Sequence, residues 1–191
     1  SVVSSVLLFN YSDFSTNVSI RNISQDVALT IRKSQTFATS VRGIESGTQT
    51  YPAYGIIFSL ESPSGTFQPG PKQFIAFADM IPSGQQTPNK KYDSTGSCGF
   101  VVEGNECLEK ISINSADSLV SIETDSTGVV TTGTVTITFR RPSPDAIICY
   151  IPSGQTECIV QIPSYVKLTL ESAKGLRRTV SVWNTGQINV E

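Results

Sequence analysis

The sequence predicts an α+β domain in which a long N-terminal amphipathic helix packs on antiparallel β-sheet. The first 42 residues contain neither proline nor glycine, and their apolar residues recur in steps of three and four. From Gly43 onward, short β-branched and aromatic runs alternate with turn residues. With 191 residues, the chain is long enough for one well-buried core and short for two ordinary domains.

The helix is predicted within residues 1–43, and a β-rich part of the same single domain within 44–191. Gly43 provides a C-terminal stop, and Arg42 lies in the last turn, where a cation is favourable to the helix dipole. Because helices in proteins are stabilised mainly by packing of an amphipathic face, we expect one stripe to lie on the sheet. That stripe consists of Val27, Ile31, Ala38 and Val41.

Strands are predicted wherever the β-favouring runs occur. Alternation of apolar and polar residues over 135–139 is typical of a half-buried antiparallel strand, and residues 166–170 repeat it. The predicted strands lie near 54–60, 73–79, 108–115, 119–123, 133–139, 146–150, 158–161, 166–172, 178–183 and 187–190.

The four cysteines form two pairs with identical C-x8-C spacing. Both intervening loops contain hairpin-turn residues, so the local pairs Cys98–Cys107 and Cys149–Cys158 are predicted among three possible connectivities. Each bond would stabilise the fold by about 2–3 kcal/mol in the chain-entropy model, and the pairs indicate an oxidising, exported location. The alternatives are reduced thiols or a zinc site, although the short C-x2-C spacing of zinc ribbons is missing.

The composition argues against a general polyanion binder and against an enzyme. Lys plus Arg number 14 and Asp plus Glu 16, and the chain has no histidine. Histidine is the commonest general base and metal ligand. A two-carboxylate glycosidase stays open, since Glu103, Glu106 and Glu109 cluster near the first cysteine pair, but glutamates at such spacings usually lie on the surface.

No transmembrane run is predicted. The longest apolar stretch, residues 146–151, is far shorter than the roughly 20 residues that a membrane span needs. The opening apolar residues have no charged region before them, so they do not predict a signal peptide.

Three segments carry a resemblance to a known family. Residues 1–11, SVVSSVLLFNY, look like the stretch that follows a hydrophobic membrane segment. Residues 54–58 and 74–79, together with Tyr92 and Asp93, are similar to a strand pair and loop of minor pseudopilins related to the H-type subunit of type II secretion. Residues 177–188 look like the C-terminal hairpin of that group. The whole chain therefore resembles the type IV pilin and pseudopilin superfamily.

This resemblance implies a pilin-like fold and a structural subunit, a minor pilin or pseudopilin, of a type IV pilus or type II secretion pseudopilus. It implies other pilin or pseudopilin subunits, an inner-membrane assembly platform and, through a removed N-terminal helix, the membrane as partners. The expected location is the cell surface or periplasm, membrane-anchored before assembly and then in an extracellular filament. Filament contacts would fall on Phe9, Tyr11, Phe14 and Val18, unless these residues are core.

The resemblance also suggests a calcium site, because some major pseudopilins bind calcium in a loop of the β-region. Asp79 and Asp93 would supply carboxylate oxygens, the ligands that this cation prefers. Lys90 and Lys91 beside Asp93 favour ordinary solvated carboxylates instead. No other cofactor is predicted.

Two alternative functions stay open. Certain minor pilins bind DNA during uptake, and a patch for DNA phosphates would contain Arg140, Arg141, Lys167, Lys174, Arg177 and Arg178. A secreted β-sandwich adhesion module, from a different class, would account for the strands and disulfides but leaves the opening helix unexplained.

Overall fold

A computed structural model describes residues 2–40, 44–46, 48–50, 52–63, 68–81, 88–94, 96–99, 101, 105–159 and 163–191. Side chains are described for these residues except 2–13, 44–46 and 48–50. The elements in chain order are α1 Val2–Thr39, β1 Ile44–Ser46, β2 Thr48–Thr50, β3 Ala53–Ser59, β4 Gln73–Asp79, β5 Cys107–Ser112, β6 Ser118–Thr124, β7 Gly128–Val130, β8 Thr134–Phe139, β9 Ala146–Ile151, β10 Tyr165–Glu171, β11 Arg177–Trp183 and β12 Ile188–Val190.

Ten of these strands form two five-stranded antiparallel sheets. The first sheet has the order β5-β4-β3-β8-β9, and the second has the order β12-β11-β10-β6-β7. Among the described residues, β1 and β2 pair with each other in a separate two-stranded sheet.

The predicted fold class, an α+β pilin-like domain with a long helix packed on antiparallel sheet, is wrong. The structure is mostly β, with two separate five-stranded antiparallel sheets as its main elements. The sequence pattern locates strands but does not say how they divide between sheets, because pairing joins distant segments. Strand β3, for example, pairs with β8 through Ser59 and Thr134.

Most individual strands nevertheless fall where the sequence predicts them. Nine of the ten predicted segments overlap an observed strand. The exception is 158–161, of which the described residues Cys158 and Ile159 are not in a strand. Strands β1, β2 and β7, each of three residues, were not predicted.

The first sheet is buried on both faces. All seven residues of β3 are buried. On one face, Tyr54 makes an edge-to-face ring contact with Phe37 of α1. On the opposite face, Ile57 belongs to a smaller apolar cluster with Ile75, Phe77, Tyr92 and Cys107.

The second sheet is buried on one face only. Strand β10 alternates between partly exposed and buried residues along its whole length, and Val166, Leu168 and Leu170 point inward. Helix α1 contacts β3 and β8 of the first sheet and β10, β11 and β12 of the second. One apolar core therefore joins the helix and both sheets.

The stripe of α1 that was expected to face the sheet is largely buried. Val27, Ile31 and Ala38 have at most 3% of their surface exposed and belong to the main core. Val41, the fourth expected residue, lies outside the described residues.

We expect Gly55→Ala to destabilise the protein by about 1–3 kcal/mol, since overpacking a filled core forces its neighbours to shift. A Cβ at position 55 would lie 2.7 Å from Thr138 Cγ2, 2.8 Å from the Ile137 carbonyl oxygen and 2.9 Å from Phe77 Cζ. Chemical denaturation monitored by circular dichroism measures the change.

The control is Gly175→Ala, in a turn with φ of +78° and open space around the added methyl. It carries only the left-handed backbone penalty, about 1–2 kcal/mol. An unchanged denaturation midpoint for Gly55→Ala would contradict the close packing of β3 against β4 and β8.

Candidate functional site

Helix α1 exposes a second apolar stripe on the side away from the core. Phe14 is 67% exposed, Val18 39% and Leu29 57%. At 3.6 residues per turn, these three positions fall within about 60° of one another around the helix axis. Exposed apolar residues that cluster on one face mark an interaction surface. We call Phe14, Val18 and Leu29 the exposed helix stripe.

Two of the four predicted filament-contact residues lie on this stripe. Phe14 and Val18 are exposed, as an interaction face requires. The side chains of Phe9 and Tyr11 lie outside the described side chains. Leu29 was not among the predicted contacts, although its spacing of eleven residues from Val18, about three helical turns, is a signal that could have identified it.

The two disulfides attach loops to the two outer strands of the first sheet. Cys98 is bonded to Cys107 at the start of β5, with the Cα atoms 4.5 Å apart. Cys149 of β9 is bonded to Cys158, with the Cα atoms 5.3 Å apart. These are the pairs that the spacing predicted. Because β5 and β9 are the edges of that sheet, each bond holds a loop at a position where a strand has no further partner strand.

Asp79, at the end of β4, is a buried carboxylate that holds a loop. Its Oδ1 accepts a hydrogen bond from the backbone N–H of Asn89 at 3.1 Å, and its Oδ2 accepts one from Lys90 at 2.8 Å. Burial raises the pKa of Asp79 to about 7, against the two backbone N–H groups and the nearby Arg140, which lower it. The side chain is fully buried.

Glu106 is a second buried carboxylate, and it acts on the same segment. Its Oε1 accepts a hydrogen bond from Met80 N–H and its Oε2 one from Asp93 N–H, both at 2.8 Å. Burial, together with smaller contributions from the charges of Asp79 and Asp93, raises the pKa of Glu106 to about 8, against the two backbone N–H groups, which lower it. We call Asp79 and Glu106 the carboxylate clamp, because together they fix the backbone of residues 80, 89, 90 and 93.

The expectation that the glutamates near the first cysteine pair lie on the surface is wrong for Glu106, which is 3% exposed. The fold buries it because residues 78 and 106 are joined by a backbone hydrogen bond between Ala78 N–H and the Glu106 carbonyl. Glu109 is exposed and pairs with Lys33 at 2.9 Å. Glu103 lies outside the described residues.

The calcium hypothesis for Asp79 and Asp93 gains no support. Both Asp79 oxygens accept backbone N–H groups, and an Asp93 oxygen accepts the side-chain amide of Asn89. Within the part of the chain that the structure describes, no group of three or more His, Cys, Asp or Glu side chains is arranged to hold a metal.

The six basic residues considered for DNA binding lie in separate places. Arg140 and Arg141 follow β8, near the Trp183 end of β11, because Ala146 N–H donates to the Asn184 carbonyl at 2.8 Å. At the opposite end of β11, roughly 20 Å away at 3.3 Å per residue, lie Lys174, Arg177 and Arg178.

Two of these basic residues are also paired with acids. Lys167 lies 3.8 Å from Glu123 and Arg177 lies 2.5 Å from Glu171, each on the second sheet. Phosphate binding requires an excess of positive charge on one surface. The described geometry does not gather these six residues into such a surface.

No protein-family model matches this chain, and comparisons with curated proteins and with solved structures find no match. Across the described residues, no helix is both long and apolar enough to cross a bilayer. No family is assigned to the chain on this basis.

We expect the protein to be more stable near pH 5 than near pH 9. The clamp carboxyls have folded-state pKa values raised from 3.8 to about 7 and from 4.5 to about 8. The folded protein therefore binds more protons than the unfolded chain, so this contribution is full below about pH 4 and is lost as pH rises through 7–8. Each pKa unit corresponds to about 1.4 kcal/mol. Urea denaturation at several pH values measures the slope.

Glu106→Gln should flatten this slope, since glutamine does not titrate, and Asp79→Asn should do the same. Asp125→Asn is the control, because Asp125 is exposed and hydrogen bonding from Ser164 lowers its pKa. If the free energy of unfolding of the wild-type protein rose steadily from pH 5 to pH 9, the raised pKa values of the two clamp carboxyls would be contradicted.

Proposed function

We propose that this protein is a non-enzymatic structural subunit of a filament of the type IV pilus or type II secretion pseudopilus kind. The observation that carries the proposal is the exposed helix stripe, with three large apolar side chains on one face of α1. Covering such residues with a partner stabilises the complex by about 25 cal/mol for each Å² of apolar surface removed from water.

The same helix carries its core contacts on a different side. Among the described side chains of α1, which start at Phe14, the buried apolar ones include Ile20, Val27, Ile31 and Ala38. None of the described side chains at 14–19 is buried. Since α1 begins at Val2, 18 residues of helix, roughly 27 Å at 1.5 Å per residue, lie N-terminal to Ile20. One helix can therefore complete the core with its buried residues and contact a neighbouring molecule with the exposed helix stripe.

The partners in this proposal are other pilin or pseudopilin subunits and an inner-membrane assembly platform, with a membrane segment upstream of α1. Two disulfides suit an exported protein, because such bonds persist in oxidising compartments. The cell surface or periplasm is the corresponding location. The DNA-binding variant of this function has less support, since the candidate basic residues are separated.

A secreted β-rich adhesion module is a second candidate. The mostly β structure with two five-stranded antiparallel sheets favours it. In that function, the exposed helix stripe has no assembly role. The two candidate functions therefore predict different effects of a charged substitution on the exposed helix stripe: only the filament function predicts a loss of assembly.

We expect Phe14→Asp and Leu29→Asp, introduced into the full-length gene of the producing cell, to lower the amount of this subunit in sheared filaments about tenfold. A buried carboxylate without a partner disfavours an apolar helix contact. Immunoblots of the filament and cell fractions measure the distribution, and thermal unfolding of the purified variants shows that they remain folded.

Val129→Asp is the matched control. Val129 is 65% exposed, like Phe14, but lies on the edge strand β7 of the second sheet. Its variant should enter filaments normally. Equal incorporation of all three variants, or an upstream reading frame that encodes a cleavable secretory signal leading directly to Ser1, would contradict the filament function.

A further inference from the structure

A pocket of about 320 Å³ lies on the face of the first sheet that is turned away from α1. Its floor includes Ile57 of β3 and Thr136 of β8, which are directly paired neighbours. Successive residues of a strand point to opposite faces, and α1 contacts Tyr54 on the other face. The pocket and the exposed helix stripe are therefore on different sides of the sheet.

Two separate parts of the chain form much of the walls. Lys91, Tyr92 and Asp93 come from the segment that the carboxylate clamp holds. Gln155 and Thr156 come from the loop that the Cys149–Cys158 disulfide closes. A pocket assembled from a clamped segment and a disulfide-closed loop is held in shape before a ligand arrives, which lowers the entropic cost of binding.

The two charged side chains of the lining, Lys91 and Asp93, already have partners within the protein. Lys91 Nζ pairs with Glu157 at 2.7 Å, and Asp93 accepts a hydrogen bond from the Asn89 amide. What remains is a set of hydroxyl and amide side chains beside two isoleucines: Gln68, Thr134, Thr136, Thr156, Gln155, Ile57 and Ile151. Hydroxyl and amide groups both donate and accept hydrogen bonds. This lining suits an uncharged ligand that carries several hydroxyl groups.

Tyr92 lies in the wall of this pocket. Its side chain is 5% exposed, and its hydroxyl is buried. Burial raises the pKa of Tyr92, and a hydrogen bond with Ser94 lowers it. The Ser94 hydroxyl donates to Asn105 at 2.6 Å, and its oxygen can still accept a hydrogen bond. The Tyr92 ring therefore forms part of the pocket wall, while its hydroxyl does not reach a ligand.

Packing keeps the Tyr92 ring in this position. The ring meets Phe77 edge to face, with centroids 5.5 Å apart, and belongs to the small apolar cluster with Ile57 and Ile75. The aromatic wall of the pocket is therefore held in place before a ligand arrives.

We propose that this pocket binds a neutral sugar unit, such as the terminal residue of a glycan. The volume is at the lower limit of ligand pockets, about 300–1,000 Å³, and so fits one small ring better than a stretch of peptide. The isoleucines contact the apolar C–H face of the ring, while the threonine and glutamine side chains bond its hydroxyls. The inference does not depend on the filament function.

The test is a titration of the purified, ¹⁵N-labelled chain with glucose, galactose, mannose, fucose and N-acetylglucosamine, followed by NMR. We expect at least one sugar to shift the amide signals of Thr134, Gln155 and Thr156. Gln155→Ala should weaken that sugar's binding about tenfold, or about 1.4 kcal/mol. Gln187→Ala, an exposed glutamine on the second sheet side, should leave it unchanged.

Thr156→Ala separates binding from folding. Because Thr156 lines the pocket and is exposed on a loop, its replacement should leave the midpoint of thermal unfolding unchanged, while sugar binding weakens severalfold. The proposal is overturned if no sugar shifts these signals at 50 mM, if the shifts map away from the pocket, or if inorganic phosphate produces the same shifts as the sugars.

Discussion

Strand β3 lies at the centre of the first sheet, and all seven of its residues are buried. When a sheet is buried on both faces, each face must be covered by another part of the chain. Backbone pairing between strands does not by itself remove from water the side chains that project from the two faces. Helix α1 covers one face through contacts such as Phe37 on Tyr54. The segment around Tyr92 covers the other.

The segment around Tyr92, which covers this second face, is held in part by hydrogen bonds from its backbone to two buried carboxylates. Asp79 and Glu106 accept four backbone N–H groups from residues 80–93, and the Cys98–Cys107 bond ties the following loop to β5. Buried carboxylates satisfy backbone groups that would otherwise lose their hydrogen bonds. The raised pKa values are the consequence, since the charged form of each group is the one that burial disfavours.

The two faces of the first sheet also separate two kinds of surface. Helix α1 presents Phe14, Val18 and Leu29 outward, and these suit an apolar partner. The opposite face presents hydroxyl and amide groups around the Tyr92 pocket, and these suit a polar ligand. A protein arranged in this way can be held by one surface and leave the other accessible.

The sequence by itself determined the positions of nine strands, both disulfide pairs and the inward stripe Val27, Ile31 and Ala38. Each depends on short-range order: alternation along a strand, helical spacing, or the closure of a ten-residue loop. Only the tertiary structure decided that the strands divide into two sheets, which contradicts the predicted fold class, and that Glu106 is buried beside Met80, 26 residues away. Pairing partners and desolvation depend on contacts between distant segments, and a local pattern of residue types carries no information about which segments meet.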